Sequence, residues 1–193
     1  MLGLKMATDP RWVNLAEKEI KEVLIDHAYC EQKAASTCIS LIVQFSDKQK
    51  LVDELTPIVS EEWSHFRMVL AELKKRGYDL GPSRNDEYVI ALSKLANKGG
   101  SREDQLVERL LIAGLIEARS CERFRLLSEG IADDELKTFY RDLMISEAGH
   151  YRLFLDLARV YADNVDVKTR FNELLAGEVE ILKNLEVRGD RVH

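Results

Sequence analysis

The sequence predicts an all-α protein, a four-helix bundle with additional helices, and three observations lead there. Only three prolines and ten glycines occur in 193 residues, and long stretches lack either, which favours long helices over many short strands. Apolar residues recur at three- and four-residue spacing through four long segments, the mark of a helix with one buried face. No segment reads as a strand.

The elements follow in order. "TDP" at 8–10 offers an N-cap with Pro10 in the first turn. The apolar period then runs to about Phe45, with a break expected near residue 25 because an uninterrupted helix of that length is unusual. Ser46 or Asp47 is expected to cap a second helix that ends at Gly77 after "KKR", with Pro57 inside it as a kink. Residues 77–101 form a connector holding a short helix over about 86–97. Ser101 with Asp104 resembles a capping arrangement and opens a third long helix, which stops at Gly130. Asp133 opens a fourth that ends near Tyr161, and Asp166 or its neighbourhood a fifth that ends near Arg188.

Composition bounds the class. The length suits one domain spanning 1–193, large enough for a hydrophobic core. Apolar residues make up 46% and charged residues 32%, an ordinary soluble balance. No apolar run approaches the roughly 18 residues of a membrane span, and "MLGLKMATDP" has no signal-peptide core, so a cytoplasmic protein without membrane partners is expected. The three cysteines, Cys30, Cys38 and Cys121, are odd in number and form no CxxC pair, which argues against a disulfide framework or a cysteine zinc site. A formal charge of −6 argues against a generally basic nucleic-acid binder.

Laid out at helical spacing, the buried stripes carry chemistry. The first reads Ile20, Leu24, His27, Glu31, Ala34, Cys38, Leu41 and Phe45. The second reads Leu51, Leu55, Ile58, Glu62, His65, Val69 and Leu73. The third reads Leu106, Leu110, Ala113, Glu117, Ser120, Phe124 and Leu127, and the fourth Leu136, Phe139, Leu143, Glu147, His150, Phe154, Leu157 and Tyr161. Four glutamates and two histidines thus lie on faces that should be buried.

A carboxylate in a low-dielectric core costs several kcal/mol unless it is neutralised. Four converging carboxylates would also repel one another, and two histidines cannot balance them. Two divalent metals can. Residues at i and i+3 project from one helix face, so each Glu-x-x-His, "EEWSHF" and "SEAGHY", can bind a metal through nitrogen and oxygen together. The pattern also repeats: Glu31 precedes Glu62 by 31 residues and Glu117 precedes Glu147 by 30. One Glu from each of two helices and a Glu-x-x-His from each of two others is the constellation of ferritin-like di-iron and di-manganese carboxylate bundles. The expected ligands are therefore Glu31, Glu62, His65, Glu117, Glu147 and His150.

Neighbouring residues compete for these roles. Glu61 lies four residues before His65, but only Glu62 keeps the repeat; Glu61 is expected to orient a histidine or to be solvated. Glu122 lies off the stripe that holds Glu117. His27 sits one turn before Glu31 and reads as a core or cap histidine in preference to a ligand. Cys121 lies one turn beyond Glu117, either lining the site or packing as a small thiol. His193 is terminal and expected to be disordered, and Trp12 and Trp63 read as packing residues. Mixed imidazole and carboxylate donors suit iron or manganese better than copper. Iron is favoured because a diferrous pair can deliver two electrons to dioxygen.

The segments "DHAYCEQKAAS", "EEWSHF", "GLIEARSCERF" and "SEAGHYRLF", in this order, resemble the tRNA hydroxylase family that acts on 2-methylthio-N6-isopentenyladenosine beside the anticodon. The likeness extends to "MATDPRWVNLA" near the start. It implies a non-haem di-iron monooxygenase that hydroxylates the isopentenyl side chain, with two iron ions, dioxygen as co-substrate and electrons from an external electron-transfer protein. All six ligands match the family's pattern. The implied partner is tRNA and not DNA. Two ferrous ions would bring the formal charge from −6 to about −2. Lys74, Lys75, Arg76, Arg84, Lys94, Lys98, Arg102, Arg119, Arg123, Arg125 and Arg152 are cations that could meet phosphates. Alternative readings are a ferritin-like ferroxidase, a rubrerythrin-like peroxidase, and a helical interaction module whose stripe acids pair with histidines and arginines.

Overall fold

The computed structural model describes residues 2–192, and Met1 and His193 lie outside the described residues. Among the described residues there are seven helices and no strand. They are α1 (Trp12–Lys18), α2 (Ile20–Gln44), α3 (Gln49–Lys75), α4 (Glu87–Ser93), α5 (Arg102–Gly130), α6 (Asp134–Tyr161) and α7 (Val167–Asn184). Among the described residues no helix is long and apolar enough to cross a membrane.

The chain divides into two compact units. One joins the segment up to Val13 to Asn85–Val187; the other joins Asn14–Arg84 to Arg188–Val192. In the second unit α2 packs against α3, and in the first α5 packs against α6, each pair running antiparallel through a short loop. Gly114 is the close-approach point of the α5–α6 pair: an added Cβ there would lie 3.5 Å from Phe154 Cβ and 3.7 Å from the Tyr151 carbonyl.

The expected break in the first helix lies at Glu19, between α1 and α2, and not near residue 25. Residues 23–28 are buried without interruption, so packing holds that stretch helical. The chain bends instead at exposed Glu19, whose ψ of 30° departs from the helical region. Neither Ser46 nor Asp47 caps α3. Its N-cap is Lys48, with no side-chain hydrogen bond. The α3 carboxyl end follows expectation: Gly77 adopts φ +73°. Gly77 N–H donates to the Lys74 carbonyl and Tyr78 N–H to the Leu73 carbonyl, the Schellman arrangement that only a residue tolerant of positive φ closes without strain. Pro57 lies within α3, with no N–H to give to the Asp53 carbonyl, and the helix continues through it.

Side-chain caps are concentrated in the other unit. Asp86 caps α4, Ser101 and Asp104 form a reciprocal capping box on α5, Asp133 caps α6 and Asp166 caps α7. Two helices end before their expected limits, α4 at Ser93 and α7 at Asn184. Beyond Asn184 the chain extends, and Arg188–Val192 join the α2–α3 unit, where Val192 N–H donates to Asp26 Oδ2 at 2.8 Å.

Candidate metal centre

The four stripes become the buried faces of α2, α3, α5 and α6. All seven stripe positions of α3 and all seven of α5 are buried; Ile20, Ala34, Phe139 and Tyr161 are half-buried, and in α6 Tyr140 takes the interior position beside Phe139. Glu31, Glu62, His65, Glu117, Glu147 and His150 are each at most 6% exposed.

In the α2–α3 unit, Glu31, Glu62 and His65 present ligand atoms within 4.8 Å of one another. His65 Nδ1 faces Glu31 Oε2 at 3.5 Å and Glu62 Oε2 at 3.8 Å. In the α5–α6 unit, Glu117, Glu147 and His150 are grouped within the same limit, and His150 Nδ1 faces Glu147 Oε2 at 3.6 Å. Both Glu-x-x-His motifs therefore turn the same ring nitrogen toward their own glutamate. Donors about 2.1 Å from one divalent ion stand about 3 to 4 Å apart, so these separations suit a shared metal. The donor set, carboxylate oxygen and imidazole nitrogen, suits iron or manganese.

The other buried glutamates mark the contrast. Glu108 accepts from Arg170 Nε at 2.7 Å and from Asn97 N–H at 3.0 Å. Glu122 is paired with Arg119 and accepts from the Thr8 hydroxyl at 2.7 Å. Glu178 accepts from Arg119 Nε at 2.9 Å and from the Tyr88 hydroxyl at 2.8 Å. Glu108 faces its own guanidinium, and Glu122 and Glu178 share that of Arg119 with the Arg123 charge nearby, so these buried carboxylates have counter-charges. Burial would pull the Arg119 guanidinium down, but Glu178 and Glu122 outweigh it and hold it above its ordinary value. Glu122 is thereby removed as a competitor of Glu117.

The residues left open by the sequence also find places. His27 is fully buried, and its Nε2 lies 2.6 Å from Glu31 Oε1. Glu61 is half-exposed, with Oε1 4.0 Å from His65 Nε2. Cys121 donates to the Met144 carbonyl at 3.4 Å, and burial, with Glu147 nearby, pushes its thiol up to about 11. Burial, with Glu62 nearby, pushes Cys38 up to about 12. Both thiols stay protonated at neutral pH.

Three expectations need correction. Trp63 is 49% exposed and stacks at a tilt on Phe66, centroids 4.8 Å apart, whereas Trp12 is buried as expected. Arg119 and Arg123 are buried and so cannot meet phosphates: Arg123 lies over the Trp12 ring at 4.4 Å and donates to Thr8 Oγ1. Arg76, Arg84 and Arg125 are engaged with Glu72, with Glu22 and Asp190, and with Glu129. Lys74, Lys75, Lys94, Lys98, Arg102 and Arg152 are exposed.

Sequence reasoning missed the Thr8–Arg119–Glu122–Glu178 network. One signal was present: Phe171, Leu174 and Glu178 follow helical spacing on α7 and are buried. The arginine partner, 59 residues away, has no comparable local signature.

Helices carrying buried Glu and Glu-x-x-His triads in this order define a ferritin-like carboxylate–histidine protein. The family model described as tRNA-(MS[2]IO[6]A)-hydroxylase (MiaE) matches residues 2–193, and the chain belongs to that family. It is 36% identical over 177 residues to a tRNA 2-(methylsulfanyl)-N(6)-isopentenyladenosine(37) hydroxylase of Pseudomonas putida, covering 92% of this chain and 85% of the relative. It is 32% identical to the like-named protein of Salmonella typhimurium over 133 residues, 68% of this chain and 47% of that one. A solved structure described as protein 43 with aldehyde deformylating oxygenase activity, from Synechococcus, superimposes with a TM-score of 0.91 at 36% identity. That match covers 98% of this chain and 94% of the other.

Proposed function

We propose that the two triads form one di-iron centre in a single domain, and that the protein is a cytoplasmic monooxygenase. It would hydroxylate the isopentenyl side chain of 2-methylthio-N6-isopentenyladenosine in the tRNA anticodon loop. The observation that carries this reading is the recurrence of a buried Glu with a Glu-x-x-His in both units of a chain that matches the hydroxylase family from residue 2 to residue 193. The balance is that of a monooxygenase. One oxygen atom of O2 enters a C–H bond as hydroxyl, and the other leaves as water with two protons and two electrons from an external electron-transfer protein.

Glu31, Glu62 and His65 would hold one iron, and Glu117, Glu147 and His150 the other. The iron pair, when bound, supplies the oxygen activation that no side chain can. The protein holds six donors on four helices, so that geometry is fixed before substrate arrives. Leu55, Ile58 and Val69 on α3, with Leu143, Phe154 and Leu157 on α6, make the stripes around the donors apolar and buried, which keeps water from the reacting atoms. A modified base reaches such an interior by leaving its stack, which is easier in a single-stranded anticodon loop. The exposed Lys74, Lys75, Lys94, Lys98, Arg102 and Arg152 are the cations for its phosphates.

A second reading, oxygenation of an aldehyde, is favoured by the likeness to the Synechococcus protein. Product mass separates the two. Iron-loaded protein is given tRNA carrying the isopentenylated adenosine, with peroxide to bypass the electron donor, and a parallel sample is given aldehydes. The expected result is one added oxygen on that nucleoside, lost in Glu117→Ala. No gain on tRNA, with aldehyde consumed, would replace the first reading by the second.

A further inference from the structure

The ligand pattern of the two units repeats, but the surroundings of the first glutamate do not. Glu31 has His27 four residues before it on the same face of α2. Glu117, at the matching place on α5, has Ala113 there. His27 has no exposed surface, and its Nε2 lies 2.6 Å from Glu31 Oε1. A carboxylate must be ionised to bind a metal and then only accepts hydrogen bonds, so in the metal-binding form His27 Nε2 is the donor. The two oxygens of Glu31 thus face different neighbours: Oε1 accepts from His27, while Oε2 faces His65 Nδ1 at 3.5 Å.

We propose that His27 is a positioning residue that fixes Glu31 through Oε1 and presents Oε2, with His65 Nδ1, to the metal held by Glu31, Glu62 and His65. The inference rests on the dimetal reading above. Its physical basis is general: a donor that locks the orientation of a ligating carboxylate spares the metal the cost of ordering it, and loss of such a partner typically weakens binding about 10- to 100-fold. His27 is itself fixed within α2. The residue before it, Asp26, accepts Val192 N–H at 2.8 Å and Arg191 Nη1 at 3.3 Å, which ties this turn of α2 to the last residues of its unit.

The test is cobalt(II) titration of the metal-free full-length protein, followed by visible absorption and calorimetry. Wild-type protein is expected to take two ions per chain. In His27→Ala one step should weaken about 10- to 100-fold while the other keeps its wild-type affinity. His27→Gln, which restores an N–H donor at similar reach, should recover most of the loss. Unchanged affinities in His27→Ala, or equal weakening of both steps, would overturn the proposal even with two ions bound. A His27→Ala chain that fails to fold would move the decision to His27→Gln, where loss of the weakened step despite a folded chain also contradicts it. Failure of wild-type protein to bind two ions would instead sink the dimetal reading. A purely structural role would lower the melting temperature and leave both binding steps in place.

Discussion

The α2–α3 unit and the α5–α6 unit carry the same pattern, a buried Glu with a Glu-x-x-His, on differently built supports. In the first, α2 and α3 start at Glu19 and Lys48 without side-chain caps, and the buried histidine His27 stands beside the leading glutamate. In the second, every helix from α4 to α7 has a side-chain cap, and Arg119 holds Glu122 and Glu178 in the interior. Spacing along each helix sets which donors share its buried face, and packing of consecutive helices, α2 on α3 and α5 on α6, brings them together, so the triads can repeat. What surrounds them depends on partners distant in sequence, such as Thr8 on Glu122, 114 residues apart, and these need not repeat.

Replacing a donor should show the sharpest effect and the least difference between the units. Glu62→Ala and Glu117→Ala are each expected to lose hydroxylation by more than about 100-fold, beyond the loss typical of an outer partner, and to lower iron content while circular dichroism stays helical. Full occupancy in only one of them would break the equivalence of the two triads.

Arg119→Ala should separate the units. It leaves two buried glutamates without their guanidinium and is expected to cost about 3 to 5 kcal/mol in denaturant unfolding, with two-metal stoichiometry retained in the folded fraction. Loss of metal at unchanged stability would instead make Arg119 part of the centre.

The caps sharpen the contrast at smaller scale. Asp133→Ala should cost about 1 kcal/mol. Lys48→Asp should stabilise α3 by about 0.5 to 1 kcal/mol, supplying both a cap and a negative charge at the helix start. No gain from Lys48→Asp would mean that packing alone sets the start of α3.

The thiols matter least near neutral pH. Cys38 and Cys121 have folded values near 12 and 11 against an ordinary 9.0. Their contribution to stability is fully present below about pH 9, where neither state is ionised. It falls as pH rises from there toward 11 and 12, because the unfolded chain ionises first. Alkylation at neutral pH should be slow for both, and slower for buried Cys38; rapid labelling of Cys38 would contradict its burial.

Much of this was legible beforehand because it is local. The three-and-four spacing identifies the long helices and places six donors on buried faces, and Ser101, Asp133 and Asp166 mark starts through side chains that reach their own backbone. Tertiary choices were not legible. Asp47 has the right chemistry for a cap, yet Lys48 occupies the cap position. The bend falls at Glu19 because burial keeps 23–28 helical. Glu178 has the same stripe signal as the proposed ligands, and only its distant arginine distinguishes it. Burial of a carboxylate announces that a counter-charge is needed, and the fold decides whether that charge is guanidinium or metal.

The most direct test is anomalous diffraction at the iron edge from crystals loaded anaerobically with ferrous iron. The account predicts two iron peaks within about 4 Å of each other, the spacing of two-metal sites, one bonded to His65 and the other to His150. A single peak, or two irons held far apart by separate triads, would contradict it.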